Sequence, residues 1–157
     1  MGTKLVRLLA IVAVLVSCSD DGPLSIRELR DVEKARARWL NSSVRRAYTF
    51  EVRQDCYCPV EFVRWNTVTV VNDSVTDVRV TAGDLAVPRS MWSSVVTVER
   101  MFATLSVVDQ TYLEDVRVRF DAQYGYPVAI ELLAGPQIAD ADRAVYARNL
   151  RPASGIP

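Results

Sequence analysis

A chain of 157 residues, half of them hydrophobic and 24% charged, allows one globular domain of ordinary size and excludes a disordered polyampholyte. Lys+Arg and Asp+Glu both number 19, so there is no basic excess of the kind a nucleic-acid-binding domain needs, and no nucleic-acid partner is expected. The chain has no histidine, which removes Ser-His-Asp triads, Cys-His dyads and His-rich zinc or copper sites; its three cysteines leave one odd.

Lys4 and Arg7 form a short basic N-terminal region, followed by an unbroken apolar run over residues 8–16. The run is too short to span a bilayer, which takes about 20 residues, and fits the hydrophobic region of a secretory signal. It closes on Leu15-Val16-Ser17-Cys18, an order that resembles the lipobox of bacterial lipoproteins. The resemblance implies a diacylglycerol thioether on Cys18, cleavage before it, and anchorage of the mature chain to a membrane through that lipid. Residues 1–17 are then a signal peptide. Their loss takes Lys4 and Arg7 with it, so the mature chain carries two more acids than bases. Residues 18–24, with Gly22-Pro23, read as the lipidated cysteine and a short tether. The implied location is extracytoplasmic: the outer membrane where the host has one, otherwise the outer face of the cytoplasmic membrane.

Ser25-Ile26-Arg27-Glu28 is a capping box. Ile26, Leu29, Val32, Ala35 and Trp39 form one apolar stripe, predicting a long helix from residue 26 to about 44. From Ala47 the period changes to two, and Tyr48, Phe50 and Val52 mark a half-buried strand. Residues 60–71 read as a second strand whose alternation slips between Trp65 and Val68. Asn72-Asp73-Ser74 is a turn, and residues 75–82 a third strand. Residues 83–94 read as a loop. Thr97 caps a short helix with Val98, Met101, Phe102 and Leu105 on one face. Strands follow around residues 116–120, 128–132 and 144–150, with a turn at 122–126 and a polar tail at 151–157. The expected fold is α+β: a single two-layer domain over residues 25–150, its long N-terminal helix packed on an antiparallel sheet of about six strands, with one short helix between the two strand groups.

Cys56-Tyr57-Cys58 is the most distinctive local pattern. Outside the cytoplasm the pair is expected to be oxidised. Three roles are open to it: a structural disulfide fixing the turn after the first strand, a thiol-redox pair, or a Cu(I) site. Trp92, in the loop with Pro88, and Tyr124 and Tyr126, flanking Gly125, are candidates for a ligand-binding face, although tyrosines beside a tight hairpin commonly pack on their own sheet. Asp121, Asp140 and Asp142 match no calcium-loop spacing. No cofactor or metal and no catalytic residue is implied.

Taken in order, Trp39, Tyr48 and Phe50, Cys56 and Cys58, the Thr97–Phe102 segment, Asp121 with Gly125-Tyr126-Pro127, and Asp140 with Asp142 resemble a family of small bacterial lipoproteins defined only as a domain of unknown function. That resemblance implies an extracytoplasmic lipoprotein and brings no catalytic residue with it. The expected function is non-enzymatic: binding of an envelope protein or a small ligand. The alternative is thiol-redox or Cu(I) chemistry at Cys56 and Cys58.

Overall fold

The computed structural model describes residues 24–107, 113–136, 138 and 141–154. The signal peptide, Cys18 and most of the tether lie outside these residues, as does Asp140.

The domain is mainly one antiparallel sheet of seven strands with short helices. Helix α1 (Ile26–Leu40) starts at the capping box: Oγ of Ser25 accepts from the Glu28 amide, and the Glu28 carboxylate accepts from the Ser25 amide at 2.8 Å. Strand β1 (Ala47–Asp55) follows, then a single helical turn, α2 (Val60–Val63). Strands β2 (Asn66–Val71) and β3 (Ser74–Val80) form a hairpin. Its loop residues Asn72 and Asp73 both have positive φ (47° and 62°), the two-residue turn whose twist matches the strands. The two-residue β4 (Leu85–Ala86) and a 3-10 turn (Arg89–Ser94) lead to helix α3 (Val98–Ser106). Strands β5 (Leu113–Phe120), β6 (Pro127–Ala134) and β7 (Arg143–Pro152) complete the chain.

The strand order β4-β3-β2-β1-β7-β6-β5 consists of two meanders joined by pairing of the first long strand with the last. The period-two pattern sends Tyr48, Phe50, Val52, Val68, Val70, Val78, Val116 and Ile130 to one face. There they meet Ala35 and Trp39 of α1 and Val98, Met101, Phe102 and Leu105 of α3 in one core. A bulge interrupts β1·β7 where two residues of β7, including Asn149 at φ 54°, stand opposite Phe50.

The expected architecture, a long N-terminal helix layered on about six strands, is corrected here. The helix stops after 15 residues, because the Asn41 amide and side chain both bond the Ala37 carbonyl and close the last turn. Val44 continues the apolar spacing but is buried from the turn beyond the helix end. Among the described side chains of α1, Ala35 and Trp39 are buried and Val32 partly so, while Leu29 and Leu40 stay exposed. The predicted strand over residues 60–71 is likewise half wrong. Pro59 opens α2, Phe62 is buried, and the side chain of Asn66 donates to the Glu61 and Arg64 carbonyls, so the slip in alternation marks a change from helical turn to strand. The loop at 83–94 contains β4 and the 3-10 turn, and the final strand runs two residues past Leu150.

The β5–β6 hairpin clasps α1. Gly125 has φ +81°, and a Cβ there would lie 2.5 Å from the Ala35 carbonyl oxygen. Arg38 Nη1 donates to the Ala122 carbonyl at 3.2 Å beside it. Gly125→Ala must both hold a left-handed residue and push the helix away, so we expect a loss of about 2–4 kcal/mol in urea unfolding, with the m-value unchanged.

Candidate functional site

Strand β1 ends at Asp55 and the chain turns through Cys56-Tyr57-Cys58-Pro59 into α2. Cys56 and Cys58 are joined by a disulfide (S–S 2.10 Å, Cα–Cα 5.3 Å), and the Cys58 amide donates to the Cys56 carbonyl at 2.9 Å. Tyr57, at the tip, is fully exposed. Both cysteines are half-buried and both line an open hollow at the corner, but Cys56 also borders a larger cleft, whereas Cys58 packs in part against the core.

That cleft, about 790 Å³, lies between the Cys56-Tyr57 corner and the β6–β7 connection. Leu133, Pro136 and Ile138 give it an apolar wall, and Glu131 and Tyr146 also line it. Among the described residues three carboxylates border it (Asp55, Glu131 and Asp142) against one cation, Arg143, with Arg53 stacked on Tyr146. The Asp142 carboxylate accepts from the Ala134 amide at 2.8 Å, tying down the connection. The Tyr146 hydroxyl donates to Glu131 at 3.2 Å. Desolvation, together with the hydrogen bond and charge of Glu131, pushes that hydroxyl's pKa up, so it remains a donor.

From the cleft a ladder of stacked side chains runs along the outward face of β1 and β7. The Arg53 guanidinium lies 4.9 Å from the Tyr146 ring centroid and 5.5 Å from that of Trp65, and the Arg148 guanidinium lies 3.9 Å from the same indole centroid. Glu51 ends the ladder, accepting from Arg148 Nε at 2.8 Å and from the Asn149 side chain at 3.0 Å. Burial opposes ionisation of Glu51, but those hydrogen bonds and the charges of Arg148 and Arg151 outweigh it and hold its carboxyl below the usual range.

The remaining sequence candidates are scattered. Trp92 lies in the 3-10 turn, half-buried, its indole N–H donating to the Val87 carbonyl at 3.0 Å and Arg89 stacked 5.2 Å from its ring. Tyr126 is buried, and burial pushes its hydroxyl's pKa up; Tyr124 is half-buried against the core. Tyr126 is thus occupied in packing and presents no ring for a ligand beside Tyr124. Asp121 shapes the hairpin, its Oδ1 accepting from the Gln123 and Tyr124 amides at 3.0 and 2.6 Å. Among the described residues no group of three His, Cys, Asp or Glu is placed to hold a metal ion, and a bonded cysteine pair has no thiolate to give Cu(I). Nor is any helix among them long and apolar enough to cross a membrane.

Sequence reading missed Asp55, Glu131 and Tyr146. The alternation of β1 and β7 does put Asp55 and Tyr146 on an outward face. Their convergence depends on the pairing Asp55↔Ala144 and Glu131↔Ala144 across three strands, which no local pattern encodes.

Residues 31–152 match the model of a family described as a family of unknown function, DUF6174. No curated protein and no solved structure matches the chain significantly.

A ring closed across one intervening residue removes little freedom from the unfolded chain, about 1.5 kcal/mol by the chain-entropy relation against about 3 for a 15-residue loop. The Cys56→Ser, Cys58→Ser double variant is therefore expected to fold, with its urea stability lowered by no more than about 2 kcal/mol. A loss of several kcal/mol would assign the disulfide a primarily structural role.

Proposed function

This chain belongs to that family of unknown function, and from that premise we propose that it is a lipid-anchored protein of the bacterial envelope that binds a protein partner or a small ligand at the cleft beside Cys56 and Tyr57. The observation that carries the binding reading is the cleft itself: open, with an apolar wall, an exposed aromatic at its rim and carboxylates held by neighbouring donors. A site of this make-up orients a ligand by charge and aromatic contact without a nucleophile–base pair, in keeping with a sequence that has no histidine.

Support for the anchor comes from the basic region, the apolar run and Leu15-Val16-Ser17-Cys18. Only five residues separate Cys18 from Leu24, the first of the described residues and a buried one, so the tether is short and the domain rides close to the lipid surface.

Two measurements test the two halves of the reading. In cells fed an alkyne fatty acid, the wild-type chain should take up label and fractionate with membranes. Cys18→Ser should do neither; a labelled or membrane-bound Cys18→Ser protein would remove the anchor. A photoreactive amino acid replacing Tyr57 should give one discrete adduct in the envelope, and the same group replacing the exposed Leu29 on α1 should not. Equal adducts, or none at Tyr57, would remove the cleft as the binding site.

A further inference from the structure

We propose that the Cys56–Cys58 disulfide is a thiol-exchange centre, that Cys56 is the sulfur attacked, and that its substrate is a cysteine on a positively charged segment of another protein. The inference rests on the cleft being a binding site and adds a reaction to it.

Three observations point the same way. The first is access. Cys56 borders the large cleft beside the fully exposed Tyr57 and Cys58 does not, so a thiolate held in that cleft faces Cys56. The second is asymmetry: both sulfurs reach the hollow at the corner, but Cys58 also packs in part against the core, which suits it to leave and return rather than to be attacked. The third is that neighbouring structure is secured without the bond. β1 is paired up to Asp55 on its β7 side and to Val52 on its β2 side, and α2 is held by buried Phe62 and the Asn66 side chain. The pair can therefore open without unravelling its surroundings.

The cleft's charge then selects the substrate. Among the described residues Asp55, Glu131 and Asp142 outnumber Arg143 and the nearby Arg53, which stacks on Tyr146. Carboxylates close to a sulfur disfavour a thiolate, both the arriving one and the departing one. A Lys- or Arg-bearing segment neutralises that field as it binds, so basic flanks bring attraction and thiolate stabilisation together.

The exchange balances as follows. A substrate thiol loses its proton to solvent, and its thiolate attacks Sγ of Cys56. The Cys56–Cys58 bond breaks, and Cys58 leaves as a thiolate that takes up a proton, giving a mixed disulfide on Cys56. A second thiol of the substrate, deprotonated in turn, attacks the substrate-side sulfur. The substrate disulfide forms and Cys56 is released. The substrate dithiol has lost two electrons and two protons, and the cysteine pair has gained them. Exchange with a disulfide of a second envelope protein, the oxidant, restores the bond by the reverse steps.

The test uses the full lipidated chain in detergent, in which Cys18 is a thioether and Cys56 and Cys58 are the remaining cysteines. Two peptides with one cysteine each, flanked by lysines or by glutamates, are incubated with it. Newly freed thiol is blocked with iodoacetamide, and adducts are mapped by mass spectrometry. Each rate is divided by that peptide's rate with neutral 2,2′-dithiodipyridine, which removes differences in intrinsic thiol reactivity. The expected result is peptide on Cys56, alkyl group on Cys58, and a normalised preference of about fivefold or more for the lysine peptide that shrinks at high salt. Peptide on Cys58, equal normalised rates, or no mixed disulfide would overturn the proposal. Adduct formation at Tyr57 in the envelope without any exchange would leave the binding reading standing and remove this one alone.

Discussion

The fold turns on one carboxylate. Glu99, in the first turn of α3, accepts from the Tyr48 hydroxyl at 2.8 Å and from the Trp39 indole N–H at 3.2 Å. Tyr48 is buried in β1 and Trp39 in α1, so three elements distant in sequence meet on two oxygen atoms. Burial first, and then the neighbouring Glu99 charge, pushes the Tyr48 hydroxyl's pKa far up, which keeps it a donor at any physiological pH. The same hydroxyl oxygen accepts from the Val98 amide at 3.3 Å, meeting one of the unpaired donors at the start of α3. Around this polar knot the rings pack edge to face, Trp39 against Tyr48 at 5.1 Å, with Phe50 tilted beyond. Buried polar groups are tolerated only when satisfied, and this arrangement satisfies the indole, the phenol and a helix amide at once. Without Glu99, two buried donors would lack partners.

That knot lies on the apolar face of the sheet, and its position decides where chemistry can sit. With α1, α3 and the core on one face, β1 and β7 present Glu51, Arg53, Tyr146 and Arg148 outward. The cleft opens where β1 runs out and the β6–β7 connection passes alongside. The disulfide corner is therefore the place where a rigid central strand gives way to a short turn. A reactive group there is held firmly from behind and reached freely from in front.

Much of the fold was legible in the residues. The capping box at Ser25 and Glu28, the alternation at Tyr48, Phe50 and Val52, and the Thr97 cap with its four buried apolar residues each act within a few positions, and all formed as read. The errors share a cause. Val44 keeps an apolar spacing that it fills from a turn, so the stripe overruns the helix, and α2 resembles strand because a four-residue helical turn has no full period to display. The site was less legible still. Cys56 and Cys58 stood out by composition, but Glu131 and Tyr146 gain meaning only when β7 pairs with both β1 and β6, and Tyr126 looked available until its burial was known.

The central position of the β1·β7 pair governs when this chain can become a domain. Glu51 and Arg148 stand 97 residues apart in sequence yet side by side in the sheet, so the contact that joins the two meanders is among the last the chain is able to make. Before residues 143–152 are available, β1 has a bare edge in the middle of the domain and β6 has lost its inner neighbour. The partial chain then holds two strand groups that share apolar core residues but have no backbone pairing between them. Pairing of the two groups therefore waits on the strand that lies between them, and the sheet closes from its middle rather than from an edge.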